Sequence, residues 1–161
     1  MTNSHHAPRA ALALTILTAS RGHMVRHALW SEFDLERNLW TVPAGRMKRN
    51  DDDHIIPLTN DMIKLLPASG SGLVFPYRGK GFSENAFRST LKAMGEPYTA
   101  HGFRSTFKDW ASDCTDFPDE MSELALAHKV GSSVRRAYRR SKGIEKRREL
   151  MRAWCDFLCK G

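Results

Sequence analysis

The sequence predicts an α+β domain, mainly helical, with a small three-stranded antiparallel sheet. Three observations carry that expectation. Apolar residues recur at helical spacing through most of the chain, short β-type runs are confined to residues 40–75, and no Gly/Pro- or Ser-rich linker divides the chain in two. At 161 residues and 41% hydrophobic content, the chain can bury about two-thirds of its unfolded surface in one core.

Residues 1–9, MTNSHHAPR, read as a disordered or expression-derived tail ahead of a domain over 10–161. Residues 9–19 predict a helix that is apolar on almost every side and therefore buried. A second helix is expected over Gly22 to Leu29, after a break near Ser20-Arg21. Trp40-Thr41-Val42 and His54-Ile55-Ile56-Pro57-Leu58 read as strands of a hairpin whose tip is Asn50 to Asp53. Asp61 to Leu66 is a short helix, and Leu73-Val74-Phe75 a third strand ending at Pro76. Ser83 stands where it can cap a helix in which Phe87, Leu91 and Met94 form the apolar stripe, ended by Gly95 and Pro97. Thr99 precedes the next helix, whose stripe is Phe103, Phe107 and Trp110 and whose polar face holds His101, Arg104 and Lys108. Pro118 opens a helix with Met121, Leu124 and His128 roughly in line. Gly131 breaks the chain before SSVRRAYRRS. The last helix, Ile144 to Leu158, is expected to bury Leu150, Met151, Trp154, Cys155 and Leu158 and to turn its basic residues outward.

The net charge is +7, and residues 134–152 alone hold nine Lys/Arg against two Glu. The rest of the chain therefore sums to zero. A stripe so concentrated is the footprint of a phosphate-backbone binder, although a solvated helix face has the same composition. Cys114, Cys155 and Cys159 are odd in number and lack C-x-x-C spacing, which argues against a disulfide framework and a zinc ribbon and for a reducing interior. The run Ala10 to Leu17 is too short to span a bilayer and no cleavage pattern follows it. No membrane and a cytoplasmic location are the expectation.

Metal-assisted phosphodiester cleavage needs clustered carboxylates and histidines. The only acidic cluster is Asp51-Asp52-Asp53 at the expected hairpin tip, where a solvated turn is the simpler account, so neither a metal nor another cofactor is expected. Nucleophilic catalysis without metal needs a nucleophile, donors for the phosphate, and groups that move protons. His101 and Arg104 are one helical turn apart, and a guanidinium fork suits a phosphate. Taken alone, they are an ordinary solvated pair. His128 at a helix end, Arg21 after an apolar helix and Lys48 on a hairpin each have equally plain structural readings. Tyr138 lies between Arg135-Arg136 and Arg139-Arg140 and reads either as an aromatic anchor or as a nucleophile.

The order of these groups is more specific than any one of them. Thr18-Ala19-Ser20-Arg21 is followed by Arg46-Met47-Lys48, by His54-Ile55-Ile56-Pro57-Leu58 and by His101-Gly102-Phe103-Arg104, which continues through Thr106, Phe107, Trp110 and Ala111. Leu126-Ala127-His128 then precedes Ala137-Tyr138-Arg139-Arg140-Ser141, with the tyrosine ten residues past the histidine. From about residue 10 to residue 158, this series resembles the C-terminal catalytic domain of the tyrosine recombinases, specifically the integrases of temperate phages and genomic islands. Two positions depart from the pattern. Met24 stands where the family usually carries a glutamate, so the expected acidic partner of Arg21 is missing. Asp51 to Asp53 occupy a tip where basic or polar residues are usual, and are expected to point away from DNA or to close a turn.

The resemblance implies site-specific recombination, the integration and excision of a mobile element, through a covalent 3′-phosphotyrosyl intermediate. Tyr138 would be the nucleophile, Arg21 and Arg104 the phosphate clamp, His128 a further donor and Lys48 the acid for the leaving 5′-oxygen. His101 would be a base toward Tyr138 or would help to hold the phosphate. The implied partners are double-stranded DNA at attachment sites, other integrase protomers in a synaptic tetramer, and accessory DNA-bending proteins, in a bacterial cytoplasm and at its nucleoid. The family's N-terminal core-binding and arm-binding domains are expected to be absent from this chain. A catalytically impaired DNA-binding remnant, a type IB-like topoisomerase and an unrelated helical interaction protein remain alternatives.

Overall fold

The computed structural model describes residues 6–47, 52–68, 70–138 and 141–160, with the side chains at 6, 135, 137, 138, 141 and 142 outside that description. In chain order it comprises α1 (His6–Leu17), α2 (Gly22–Arg26), β1 (Phe33–Asp34), β2 (Leu39–Val42), β3 (His54–Pro57), α3 (Asn60–Lys64), α4 (Ala86–Ala93), α5 (Gly102–Cys114), α6 (Asp119–Ala125), α7 (Ser132–Tyr138) and α8 (Ser141–Lys160). The sheet is antiparallel in the order β1-β2-β3, as the expected α+β class requires. In its central pairing, Trp40 faces Ile56 and Val42 faces His54. The expected strand pairing of the hairpin is therefore present, while Lys48, Arg49 and the first two residues of the expected tip, Asn50 and Asp51, lie outside the described residues. Asp53 closes the base of the hairpin, where its Oδ1 accepts from Ala44 N at 2.9 Å.

The third strand is not the expected one. It is Phe33–Asp34, paired with Leu39 and Trp40 across a tight turn. Leu73 makes only an isolated bridge to Leu29, and Val74 N donates to Ala28 O at 2.9 Å, so this run sits beside the end of α2 and leaves the sheet. Its β-type residues reflect burial, since Val74 and Phe75 are core residues. Two other expectations fail at helix ends. Ser83 gives α4 no side-chain cap, and Met94 lies half exposed past its last turn. Thr99, by contrast, accepts Gly102 N at 3.0 Å and so caps the first turn of α5.

The core is continuous from α1 through the sheet to α8, with Leu14, Met24, Trp40, Val42, Phe107, Leu150 and Trp154 enclosed. Trp154 anchors the final helix. Its ring lies 5.3 Å from Phe107 and 5.0 Å from Trp110, and its Nε1 donates to Ile16 O at 3.0 Å. This single residue thus satisfies α1 and packs on α5. The basic residues of α8 do not all face outward. Arg147 and Arg148 are buried: Arg147 donates to Ile55 O at 2.9 Å, and Arg148 donates to the carbonyls of Asn38, Leu58 and Arg37 at 3.0 to 3.1 Å. Leu158, expected inside, is exposed.

Candidate active site

Helices α1 and α6 end in the same way. Beyond α1, Ala19 takes a left-handed φ of 51°, its N–H bonds Ile16 O at 3.1 Å, and Ser20 N bonds Thr15 O at 3.1 Å. Beyond α6, Ala127 takes φ 54°, with Ala127 N on Leu124 O at 3.1 Å and His128 N on Glu123 O at 2.9 Å. These paired bonds define a Schellman end, which normally places glycine at the left-handed position. α4 does so, with Gly95 at φ 78°. Alanine in that conformation costs about 1–2 kcal/mol. The two strained ends carry Arg21 and His128, each within two residues of its alanine.

Arg104 joins these ends. Its Nη1 donates to Ala19 O and its Nη2 to Leu126 O at 2.7 Å, and only 6% of the residue is exposed. One guanidinium therefore holds the electronegative C-termini of two helices at once. The same Nη2 lies 3.5 Å from Nε2 of His128, the outer limit of a hydrogen bond. The expectation that Arg104 shares an outward polar face with His101 and Lys108 is thus corrected: it points into the gap between α1 and α6. Burial pushes its pKa down to about 10, and the nearby charge of Arg21 pushes the same way. It stays protonated at neutral pH.

The structure brings Arg21, Arg104 and His128 together, with Arg21 partly buried at the start of α2 and His128 exposed. His101 is exposed at the N-terminal end of α5, one turn before Arg104. Tyr138 is the last residue of α7, but its side chain, like the whole of Lys48, lies outside the described residues. Among the described residues no cluster of three or more His, Cys, Asp or Glu could hold a metal. No helix among them is long and apolar enough to cross a membrane.

Three further residues belong to this neighbourhood; sequence reasoning placed Lys108 on the polar face with His101 and Arg104 and His54 at the start of a strand, and gave none of the three a role in the site. His54, at the start of β3, is buried and hydrogen-bonded to the Ala125 backbone; burial, then the charges of Arg147, Arg104 and Arg21, lower its pKa to about 3. Glu123 accepts from His128 Nδ1 at 2.6 Å and from Lys108 Nζ at 2.7 Å. Lys108 is also held by Asp119 and by Ser122 Oγ. Partial burial opposes the Glu123 charge, yet the hydrogen bonds from Lys108 and His128 keep its pKa below the ordinary carboxylate range. The spacing of Glu123 and His128 was a usable signal, because a Schellman end folds residue C″ back toward C3.

Met24 is fully buried, so no carboxylate approaches Arg21 from that position. Glu32 serves another arginine. Glu32 Oε2 binds Arg46 Nη2 and Trp40 Nε1, each at 2.9 Å, while Arg46 also donates to Met24 O at 3.2 Å and to His27 O. This pair, with Glu32 buried and Arg46 partly exposed, ties the hairpin base to α2.

Prophage integrase IntA of Escherichia coli (strain K12) is 35% identical over 153 residues, covering 89% of this chain and 37% of that protein. The integrase of Enterobacteria phage P4 is 31% identical over 174 residues (93% and 40%), and that of Shigella phage Sf6 32% identical over 152 residues (88% and 39%). The chain is a homologue of the phage and prophage integrases. It spans about two-fifths of the length of these integrases, in keeping with one domain of such a protein. No family model and no solved structure matches the chain.

Proposed function

We propose that the chain is the catalytic domain of a tyrosine-type integrase, which cuts and rejoins double-stranded DNA at attachment sites through a 3′-phosphotyrosyl intermediate. The observation that carries this reading is the position of Arg104, buried between two helix ends that present Arg21 and His128 beside it. Two carbonyls take two of the five guanidinium N–H groups, leaving donors for a phosphate oxygen. Preorganised donors of this kind act most strongly where negative charge develops, and losing one typically lowers the rate about 10²- to 10³-fold.

In this mechanism Tyr138 Oη attacks the scissile phosphorus, a phosphotyrosyl ester forms at the 3′ side, and the P–O5′ bond breaks. The phenolic proton leaves as the new bond forms, with His101 as its acceptor or as a further phosphate ligand. Lys48 gives a proton to the departing 5′-oxygen. Forming a free phenolate at pH 7 from a tyrosine of pKa about 10 costs roughly 4 kcal/mol, which a concerted proton transfer avoids. The ester retains the energy of the broken bond. A second 5′-hydroxyl can therefore reverse the step, and no nucleotide is consumed. Other protomers in a synaptic tetramer and DNA-bending proteins complete the proposed assembly.

The test uses the full-length protein and a nicked suicide duplex carrying its element's ends. The wild type should give a protein–DNA adduct that survives SDS, and Tyr138→Phe should give none while keeping duplex affinity. An adduct from the phenylalanine variant would overturn the assignment. Plasmid relaxation without site preference would point to topoisomerase activity instead.

A further inference from the structure

His128 has a donor-only neighbour on one ring nitrogen and an acceptor-only neighbour on the other. Nε2 lies 3.5 Å from Arg104 Nη2, and a guanidinium can only donate. Nδ1 lies 2.6 Å from Glu123 Oε2, and an ionised carboxylate can only accept. A neutral imidazole satisfies both only with its proton on Nδ1. The carboxylate is itself fixed on its far side by Lys108, whose Nζ lies 2.7 Å from Oε1 and is held in turn by Asp119 and Ser122. Glu123 also accepts the His128 backbone N–H through its own carbonyl, at 2.9 Å. One residue therefore holds His128 by main chain and by side chain.

We infer that Glu123, braced by Lys108, is a positioning residue for His128: it holds Nδ1–H, so setting the tautomer of the neutral ring, and turns Nε2 toward the phosphate site beside Arg104, where Nε2 donates to a phosphate oxygen once it carries a proton of its own. This role rests on the recombinase reading for its catalytic consequence, though not for its structural one. Carboxylates that orient a metal-ligating histidine through its remote nitrogen typically contribute about 10- to 100-fold to activity, and an effect of that size is expected here. Lys108 keeps the carboxylate ionised, so it acts one step further back.

Two measurements test the inference, and they fail separately. Nitrogen-15 NMR of the histidine rings in this chain, at about pH 8.5 where an ordinary imidazole is neutral, should report His128 with its proton on Nδ1. Glu123→Ala should move that proton toward Nε2. A wild-type ring protonated on Nε2, or a tautomer unchanged by the substitution, would overturn the inference without any reference to DNA. On the suicide duplex, Glu123→Ala in the full-length protein should slow adduct formation about 10- to 100-fold with unchanged duplex affinity. Glu123→Gln, whose amide oxygen still accepts from Nδ1, should recover most of the rate. Equal rates for wild type and Glu123→Ala would also overturn it. Absence of adduct from the wild type removes the recombinase reading and the catalytic part of this one, whereas a wrong tautomer removes Glu123 alone.

Discussion

His54 shows how burial and the charge of the site act together on one side chain. Burial of its ring first, and then the fields of Arg147, Arg104 and Arg21, bring its pKa down to about 3. An unfolded histidine takes up a proton near pH 6.5. Between those values the unfolded chain binds a proton that the folded chain refuses, so stability falls as pH falls through that window and is fully present above it. The slope reaches about 1.4 kcal/mol per pH unit, and between pH 7 and pH 5 the loss amounts to about 2 kcal/mol. Urea titrations at the two pH values should show this loss in the wild type and much less of it in His54→Gln. Equal losses in both proteins would mean that His54 titrates normally. None of this was legible in the sequence, where His54 is only the first residue of a strand. Arg104 was misplaced for a related reason: helical periodicity assigns a face, but not the carbonyls of Ala19 and Leu126 that draw the side chain inward.

At the scale of elements, the two alanine-bearing helix ends set the geometry of the site. Ala19 and Ala127 hold positive φ at the two ends that Arg104 joins, and glycine would adopt the same backbone without the Cβ penalty. Relief of about 1–2 kcal/mol is offset by the extra freedom glycine gives the unfolded chain, about 0.4–1 kcal/mol. Ala127→Gly should therefore raise stability by about 0.5–1 kcal/mol, whereas Gly95→Ala, at the equivalent position of α4, should lower it by about 1 kcal/mol. A Cβ at Gly95 would meet nothing within 4 Å, so this comparison isolates the backbone conformation. Thermal melts of the two variants check the pair, and a destabilised Ala127→Gly would contradict the strain. Helices with a clean stripe and hairpin strands with a turn between them were legible. The run Leu73 to Phe75 was not, because burial in a loop selects the same residues as burial in a strand.

At the scale of the whole molecule, the basic segment divides into two parts with different work to do. Composition counts nine cations between residues 134 and 152, but Arg147 and Arg148 face inward and join α8 to the sheet. Net charge could not reveal this division, since an arginine that binds carbonyls and one that faces solvent are written alike. Arg148 ties α8 to two distant segments, residues 37–38 and Leu58: its Nη1 donates to Asn38 and Leu58 carbonyls and its Nη2 to Arg37 O, while its Nε faces the exposed carboxylate of Glu145 on its own helix. Hydrogen bonds to a charged group contribute about 1.5–3 kcal/mol each, and the buried Leu58 carbonyl left without this donor adds a further penalty. Because Glu145 is solvated, it loses little when its partner goes. Arg148→Ala should therefore destabilise the fold by about 3–5 kcal/mol in urea titrations. Arg152→Ala, one turn along on the exposed side of α8, should change stability by less than about 0.5 kcal/mol. Similar losses from both would mean that the carbonyl contacts of Arg148 contribute nothing beyond ordinary surface charge.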